Sequence, residues 1–352
     1  MSNCTTQYLP SYTVGVDAYR AVPQVVGAAR VAVIGGRKAL AAAGDRLTAA
    51  LEGSDVSVTG TFWDARSIFL VVGVKAVVTC KIVAHRLAKS LYTFPTIASN
   101  CSPVSCISIM YNEDGSFKEI VQLHEPPAHC FIDTQVIAEA PEMYLWAGIG
   151  DTIAKYYEVV FSMRGDSPSY GPVLGQAISC MCNRPLIGCA LEAYEDCKNN
   201  RVSDALTHAA LNIVVSTGLV SGLVGVDYNS ALAHALFYGL TTIPSIERDH
   251  CHGEVVSYGV LVQLVMDKDS EQLDFLMPLY RKLGLPTCLA DLGLTVEDDF
   301  DEALAATEVN QELRHVPYPV TRDLIWQAIL GLEDASKACD VPASPAPVLP
   351  EE

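Results

Sequence analysis

The stretch SIFLVVGVKAVVTCKIV, from Ser67 to Val83, predicts a buried strand, a turn at Gly73 and then a helix. This order is typical of a phosphate-binding turn in an α/β domain, where glycines let a phosphate approach the backbone. Here Val72 and Val74 flank Gly73, and their branched side chains would obstruct that approach. Lys75 could still meet a phosphate as a point charge. The stretch therefore predicts an α/β sheet with an altered phosphate site.

The spacing of apolar residues differs between the N-terminal and C-terminal parts of the chain. From Tyr12 to Pro141, short apolar runs alternate with turn residues and a few helical stretches, which is the pattern of an α/β domain. From Glu142 onward, apolar residues recur every three to four positions, as in packed helices. We therefore predict an α/β N-terminal domain with a trimmed Rossmann-like sheet (1–141), an all-α C-terminal domain (142–335) and a disordered tail rich in Pro and acidic residues (336–352).

Two strand-like runs in the N-terminal part lie unusually close together in the sequence. The run from Val56 to Trp63 is followed after only four residues by the run from Ile68 to Val72. Parallel neighbours need a crossover of about a dozen residues or more. We therefore predict that the two runs either pair antiparallel or do not both belong to the sheet.

Composition excludes several classes of function. Lys and Arg number only 23 and the formal net charge is −18, which argues against nucleic acid as a partner. The longest unbroken apolar runs fall short of the roughly 18 to 20 residues of a membrane helix, and no export signal is evident. Twelve cysteines without such a signal indicate reduced thiols. We expect a cytoplasmic homo-oligomer that acts on a small molecule, without a membrane.

Three residues of the helical half suggest a metal site. Asp151 lies in GIGDTIAKYYE, His234 in ALAHALFYGL and His252 in RDHCHGEVVSYG. One carboxylate and two imidazoles are a common ligand set for a zinc or iron ion that keeps a position open for substrate. Each residue also has an ordinary structural interpretation: a helix N-cap, a core histidine and a polar residue at a helix start.

Several long segments resemble one known family, in the right order and over nearly the whole chain. AGIGDTIAKYYE, AHALFYGLTTIP and HGEVVSYGVLVQL are similar to the three metal-bearing segments of the glycerol dehydrogenase branch of the iron-containing alcohol dehydrogenases. VAVIGGRKAL resembles the first βα unit of that family, and HVPYPVTRDLIWQAI its last helical region. The resemblance implies a dinucleotide-binding domain, a helical domain and a metal-bearing cleft between them. It also implies that Asp151, His234 and His252 bind the metal.

The segment FPTIASNCSPVSCISIMYNEDGSFKE resembles the part of the family that lines the nicotinamide and the substrate. The resemblance implies that the cofactor-binding residues include Gly73, Lys75, Thr96, Ser99, Ser105, Ile107 and Tyr111.

The chain departs from the family at the phosphate turn. The family has three consecutive glycines before the lysine and an aspartate three residues after it. Here the corresponding positions are Val72, Gly73 and Val74, and Val78 replaces the aspartate. Without these glycines a pyrophosphate cannot approach the backbone closely. The sequence does not decide whether NAD(P) binds, and we expect its binding to be weak or absent.

A further departure concerns substrate chemistry. An aspartate of the family corresponds to Cys101, and a second histidine corresponds to Phe237. A Cys101 thiolate could act as a nucleophile or as an extra ligand if its pKa were lowered, although an ordinary buried thiol is the simpler interpretation. Cys101 and Lys75 are our candidate catalytic residues.

Three functions are compatible with the sequence. The first is a metal- and NAD-dependent oxidoreductase that takes hydride from a small alcohol, with the ion lowering the pKa of the alcohol. The second retains the metal without NAD, as in a lyase, isomerase or hydrolase. The third is a non-catalytic paralogue, which would predict loss of the metal ligands as well. Because all three candidate ligands are present, we expect a metal-dependent enzyme of the alcohol dehydrogenase type.

Overall fold

The computed structural model describes residues 11–59, 68–111, 117–123 and 125–348. The chain divides into two compact units. The first comprises Met1–Tyr144 and Glu195–Gly222, and the second comprises Leu145–Tyr194 and Leu223–Glu352. The predicted boundary after residue 141 stays a prediction. Residues 195–222 group with the first unit, although they lie far beyond that boundary in the sequence.

The first unit contains a six-stranded, wholly parallel sheet with strand order β1-β8-β5-β4-β2-β3. Two further strands, β6 and β7, form a separate antiparallel pair. The strands are β1 (Ser11–Gly15), β2 (Ala29–Gly35), β3 (Val56–Val58), β4 (Ile68–Val72), β5 (Leu91–Phe94), β6 (Ile107–Tyr111), β7 (Phe117–Gln122) and β8 (His129–Asp133). The second unit contains helices and no strand among its described residues. The predicted fold class, α/β followed by all-α, is confirmed.

The prediction about the two closely spaced runs is wrong. Both β3 and β4 belong to the parallel sheet, and β2 lies between them. We expected the two strands to be neighbours if both joined the sheet, whereas each pairs with β2 instead. In addition, β3 ends at Val58, so nine residues separate it from β4. Residues 60–67, which include the predicted end of the first run, lie outside the described residues.

The side chains of β4 pack on both faces of the sheet. Leu70 and Val72 join the core formed with α2 (Arg37–Leu51), whereas Phe69 and Val71 face α3 (Val74–Arg86). A strand covered on both faces shows a continuous apolar run, which is the pattern read in this stretch. Val72 is fully buried, and it therefore fills the core.

The remaining helices connect strands in the first unit and make up nearly all of the second unit. They are α1 (Val22–Val26), α4 (Thr134–Ala138), α5 (Glu142–Met163), α6 (Tyr170–Ser179), α7 (Arg184–Lys198), α8 (Asp204–Leu211), α9 (Thr217–Tyr228), α10 (Leu232–Leu240), α11 (Pro244–Asp249), α12 (His252–Met266), α13 (Ser270–Leu283), α14 (Asp301–Glu308) and α15 (Arg322–Ala338). Side-chain caps begin several of them, for example Ser203 at α8 and Thr321 at α15.

Helix α12 is the centre of the second unit. It is apolar on all sides and almost completely buried, as expected for a helix surrounded by others. It packs against α10, α13 and α15, and α10 in turn packs against α14. Because His252 is the first residue of α12, the buried helix carries a candidate ligand at its N-terminal end.

One helical stretch, Asp204–Tyr228, is long and apolar enough by composition to cross a membrane, which the unbroken apolar runs did not indicate. Most of its apolar window, 61%, is buried inside the protein, as in a core helix.

The start of the predicted tail is not disordered in the structure. Helix α15 continues to Ala338, and Arg281 of α13 donates hydrogen bonds to the carbonyl oxygens of Cys339 and Val341. The N–H of Ser344 donates to the carbonyl of Arg281 at 2.7 Å. These bonds hold the extended segment against α13. Residues 349–352 of the predicted tail lie outside the described residues.

Candidate functional site

The three predicted metal ligands come together within the second unit. Asp151 projects from α5, His234 from α10 and His252 from α12. Asp151 Oδ1 lies 3.5 Å from His234 Nε2 and 3.6 Å from His252 Nε2. All three ligand atoms lie within 4.8 Å of one another. The tertiary structure thus groups residues that are up to 101 positions apart in the sequence.

Two glycines of α12 let the three helices approach closely enough for this grouping. A Cβ on Gly253 would lie 2.0 Å from the carbonyl oxygen of Ala147 in α5. A Cβ on Gly259 would lie 2.7 Å from Cα of Ala233 in α10. Both distances are far below a normal contact, so neither position accepts a side chain without movement. The backbone of α12 therefore contacts α5 and α10 directly, beside Asp151 and His234.

The spacing of the three side chains fits a divalent ion. Zinc–ligand bonds of about 2.0 to 2.1 Å in a tetrahedral site put neighbouring ligand atoms about 3.4 Å apart. The observed distances of 3.5 and 3.6 Å match this value and are longer than good hydrogen bonds. The side chains of Asp151 and His234 are 14% and 10% exposed, whereas that of His252 is 45% exposed. The cluster is therefore open on the His252 side.

A buried carboxylate that sequence reasoning missed supports His234. Glu158 Oε2 accepts from His234 Nδ1 at 2.5 Å, and its other oxygen accepts from the backbone N–H groups of Ala231 and His234. The side chain of Glu158 is fully buried. A signal existed in the sequence, because Glu158 lies seven residues after Asp151, two helical turns along the same face of α5.

The charges of the site favour a cation. Burial disfavours the charged form of His234, but the carboxylates of Glu158 and Asp151 more than offset it and raise the pKa of His234 to about 10. Burial alone would raise the pKa of Asp151, yet the imidazoles of His234 and His252 hold it well below its usual range. Two ionised carboxylates at a largely buried site create a negative potential that a divalent ion would neutralise.

Cys251, the neighbour of His252 in the sequence, does not supply a reactive thiolate. The ring of Phe237 packs edge-on against the ring of His252, with centroids 4.3 Å apart. Cys251 is the N-cap of α12, and its sulfur accepts from the backbone N–H of Glu254. Burial raises the pKa of Cys251 to about 11, so its thiol is neutral at physiological pH.

The phosphate turn lies in the first unit. Gly73 has φ 85°, and a Cβ there would lie 2.5 Å from Cβ of Ala39 and 3.7 Å from Oγ1 of Thr96. Glycine is therefore required by the backbone angle and by the contact with α2. The structure brings Gly73 and Thr96 close together, but Ala39 occupies the space beside Gly73. The cofactor-binding roles of Gly73 and Thr96 stay predictions. Lys75 lies in the first turn of α3, and its side chain is outside the described part of the chain.

A buried lysine, also missed from the sequence, holds two of the predicted nicotinamide-side residues. Lys81 Nζ donates to the carbonyl and hydroxyl oxygens of Ser105 at 3.1 and 3.3 Å, and to the carbonyl of Ile107. Its side chain is 2% exposed, and burial lowers the pKa of Lys81 to about 8. The position of Lys81 within a largely apolar helix gave no sequence signal for these contacts.

The other predicted residues of the first unit are only partly defined. Ser99 and Cys101 are half-buried in the loop after β5, and the carbonyl of Cys101 accepts from the N–H groups of Val104 and Ser105. A Cβ on Gly218 of α9 would lie 3.5 Å from Cβ of Cys101, so this loop packs on α9. Tyr111 ends β6, and its side chain lies outside the described residues. The catalytic roles of Cys101 and Lys75 stay predictions.

The chain is similar to known dehydrogenases in sequence and in fold. No family model matches the chain. A glycerol dehydrogenase of Thermotoga maritima is 32% identical over 265 residues, covering 73% of this chain and 71% of the relative. Hydroxycarboxylate dehydrogenase A of Escherichia coli is 30% identical over 275 residues, covering 77% and 76%. The crystal structure of a Schizosaccharomyces pombe glycerol dehydrogenase has a TM-score of 0.84 at 23% identity, covering 99% of this chain and 98% of that one.

Proposed function

Because the chain belongs to the glycerol dehydrogenase-like branch of the iron-containing alcohol dehydrogenases, we propose that it interconverts a small alcohol and its carbonyl compound at a divalent ion held by Asp151, His234 and His252, with a weakly held nicotinamide as the hydride acceptor or donor. The protein is an oxidoreductase of the alcohol dehydrogenase type. The relatives are named for glycerol and for hydroxycarboxylates, which supports a substrate that carries a hydroxyl group and further polar groups. The spacing of the three ligand atoms is the observation that carries the proposal.

The residues of the cluster have distinct roles in this proposal. A zinc or iron ion supplies Lewis acidity, which lowers the pKa of an alcohol and polarises a carbonyl. Asp151 supplies the negative charge at the centre of the cluster, and Glu158 fixes the ring of His234 from behind. His252, the most exposed of the three, borders the open side from which a substrate would enter. The ring of Phe237 restrains His252 and presents an apolar edge.

The phosphate turn does not fit the usual dinucleotide cradle, and we therefore propose that NAD(P) binds weakly. Val72 is buried in the core, and Ala39 fills the space beside the one remaining glycine, Gly73. The non-redox alternatives are less well supported, because the relatives are named as dehydrogenases.

Location and assembly are also proposals. We propose a cytoplasmic homo-oligomer. Exposed apolar side chains on α6 and in the turn after it support self-association, since Tyr170 is 76% exposed, Val173 46% and Met181 44%.

Metal analysis and nicotinamide fluorescence test the proposal. We expect about one equivalent of zinc or iron per chain in the wild type and its loss in His252→Ala. His315→Ala is the matched control, because His315 pairs with Asp166 outside the cluster and should keep the metal. Wild-type protein without metal, or His252→Ala with a full equivalent, would contradict the assignment. Titration with NADH then measures the cofactor, and micromolar affinity would overturn the proposed weak binding.

A further inference from the structure

We infer that Glu158 is a positioning residue that orients His234 so that Nε2 is the nitrogen available to a metal ion. The inference rests on the proposed function, because it concerns the same site. It adds a residue that none of the sequence patterns had singled out, located behind the ligand and away from the substrate.

The hydrogen bonds of Glu158 fix both the ring and the start of the helix that carries it. Oε2 accepts from His234 Nδ1 at 2.5 Å. Oε1 accepts from the N–H of Ala231 at 2.7 Å and from that of His234 at 2.9 Å. Ala231 is the N-cap of α10, and no side-chain cap of its own satisfies these first-turn N–H groups. One carboxylate from α5 therefore caps α10 and holds the imidazole.

The bond at Nδ1 determines which nitrogen can bind a metal. An imidazole that ligates a metal keeps one N–H, and here that N–H is on Nδ1, directed at Glu158. Nε2 is then directed at Asp151 Oδ1, 3.5 Å away, at the spacing of two ligands of one ion. A carboxylate behind a ligating histidine both orients the ring and increases its basicity.

A carboxylate is required because three donors converge on two oxygens. In Glu158→Gln, only one of the two oxygen positions remains an acceptor. If the amide N–H₂ faces His234, then Nδ1 must accept, the ring proton moves to Nε2 and the ligand is blocked. If the amide N–H₂ faces the N–H groups of Ala231 and His234, donors oppose donors at a buried helix start, which is also unfavourable.

Zinc binding by chelator competition tests the inference. Metal-free wild type, Glu158→Gln and Glu312→Gln are titrated with zinc, and the thermal unfolding of each metal-free protein is recorded. Glu312→Gln is the matched control, because Glu312 interacts with His234 through its charge but bonds to Ser230. We expect zinc affinity to fall about 10- to 100-fold in Glu158→Gln. In Glu312→Gln we expect a change of less than about threefold, as for the loss of one partly buried charge.

A measurement on the wild type keeps the test independent of folding of the variant. In zinc-loaded protein, ¹⁵N–¹H spectra of the histidine rings should show His234 with a slowly exchanging proton on Nδ1 and with Nε2 bound to the metal. Metal binding through Nδ1, or equal zinc affinity in Glu158→Gln and wild type, would overturn the inference and leave the proposed function standing. Wild type that binds no zinc would overturn both.

Discussion

Replacing Gly253 by alanine should separate the helices that build the metal site. The added Cβ would lie 2.0 Å from the carbonyl oxygen of Ala147 and 3.0 Å from Cβ of Asp151. Ordinary contact begins near 3.4 Å, so α12 must move from α5 by at least about 1.4 Å at this point. The atom in the way is backbone oxygen, which cannot rotate aside as a flexible side chain does. The movement changes the distance between Asp151 and His252, which is 3.6 Å in the structure.

We expect two measurable effects of Gly253→Ala. Overpacking of this kind costs about 1 to 3 kcal/mol of the free energy of unfolding, which urea denaturation of the metal-free protein measures. A displacement of His252 by about 1 Å also exceeds the tolerance of a metal site, so zinc affinity should fall at least about tenfold.

Gly188→Ala in α7 is the matched control, because it lies in the same unit and a Cβ there meets nothing within 4 Å. It should leave zinc affinity unchanged and raise the free energy of unfolding by up to about 1 kcal/mol, since alanine is the better helix former. If Gly253→Ala matches the wild type in both stability and zinc affinity, the close packing of α5 and α12 does not set the ligand geometry.

Two further predictions concern the first unit. Lys81 has a folded-state pKa of about 8 and an unfolded value near 10.5, so the unfolded state binds more protons between these values and stability rises with pH there, by about 3 kcal/mol. Because buried thiols titrate in the same range with the opposite sign, the test is the difference in unfolding free energy between wild type and Lys81→Met, which should rise from pH 7 to 10.5. Parallel curves for the two proteins would contradict this prediction. Restoring the family turn with Val72→Gly, Val74→Gly and Val78→Asp should increase NADH affinity in a fluorescence titration, at a cost of about 2 to 4 kcal/mol because Val72 is buried. Unchanged affinity would show that the side chains are not the obstacle.

The sequence alone was sufficient for the fold class and for the identity of the three clustered residues. Apolar periodicity depends on local geometry, so the change from short runs to three-to-four spacing marks where the sheet ends and the helices begin. The length and order of the resembling segments singled out Asp151, His234 and His252, and the structure brings these three together. The departure at Val72 was also visible in the sequence, whereas the burial of its side chain in the core was shown by the structure.

Strand pairing, buried polar partners and helix contacts were decided by the tertiary structure. The pairing prediction for β3 and β4 failed because a strand's neighbour is set by the whole sheet, and β2 lies between them. Lys81 depends on acceptors 24 and 26 residues away, and Glu158 on a ring 76 residues away. Gly253 fits only because a carbonyl of α5 lies against it. Such contacts join residues that are distant in sequence, so no local sequence pattern predicts them. Their energies arise only when the packed helices and strands bring the groups together and exclude water.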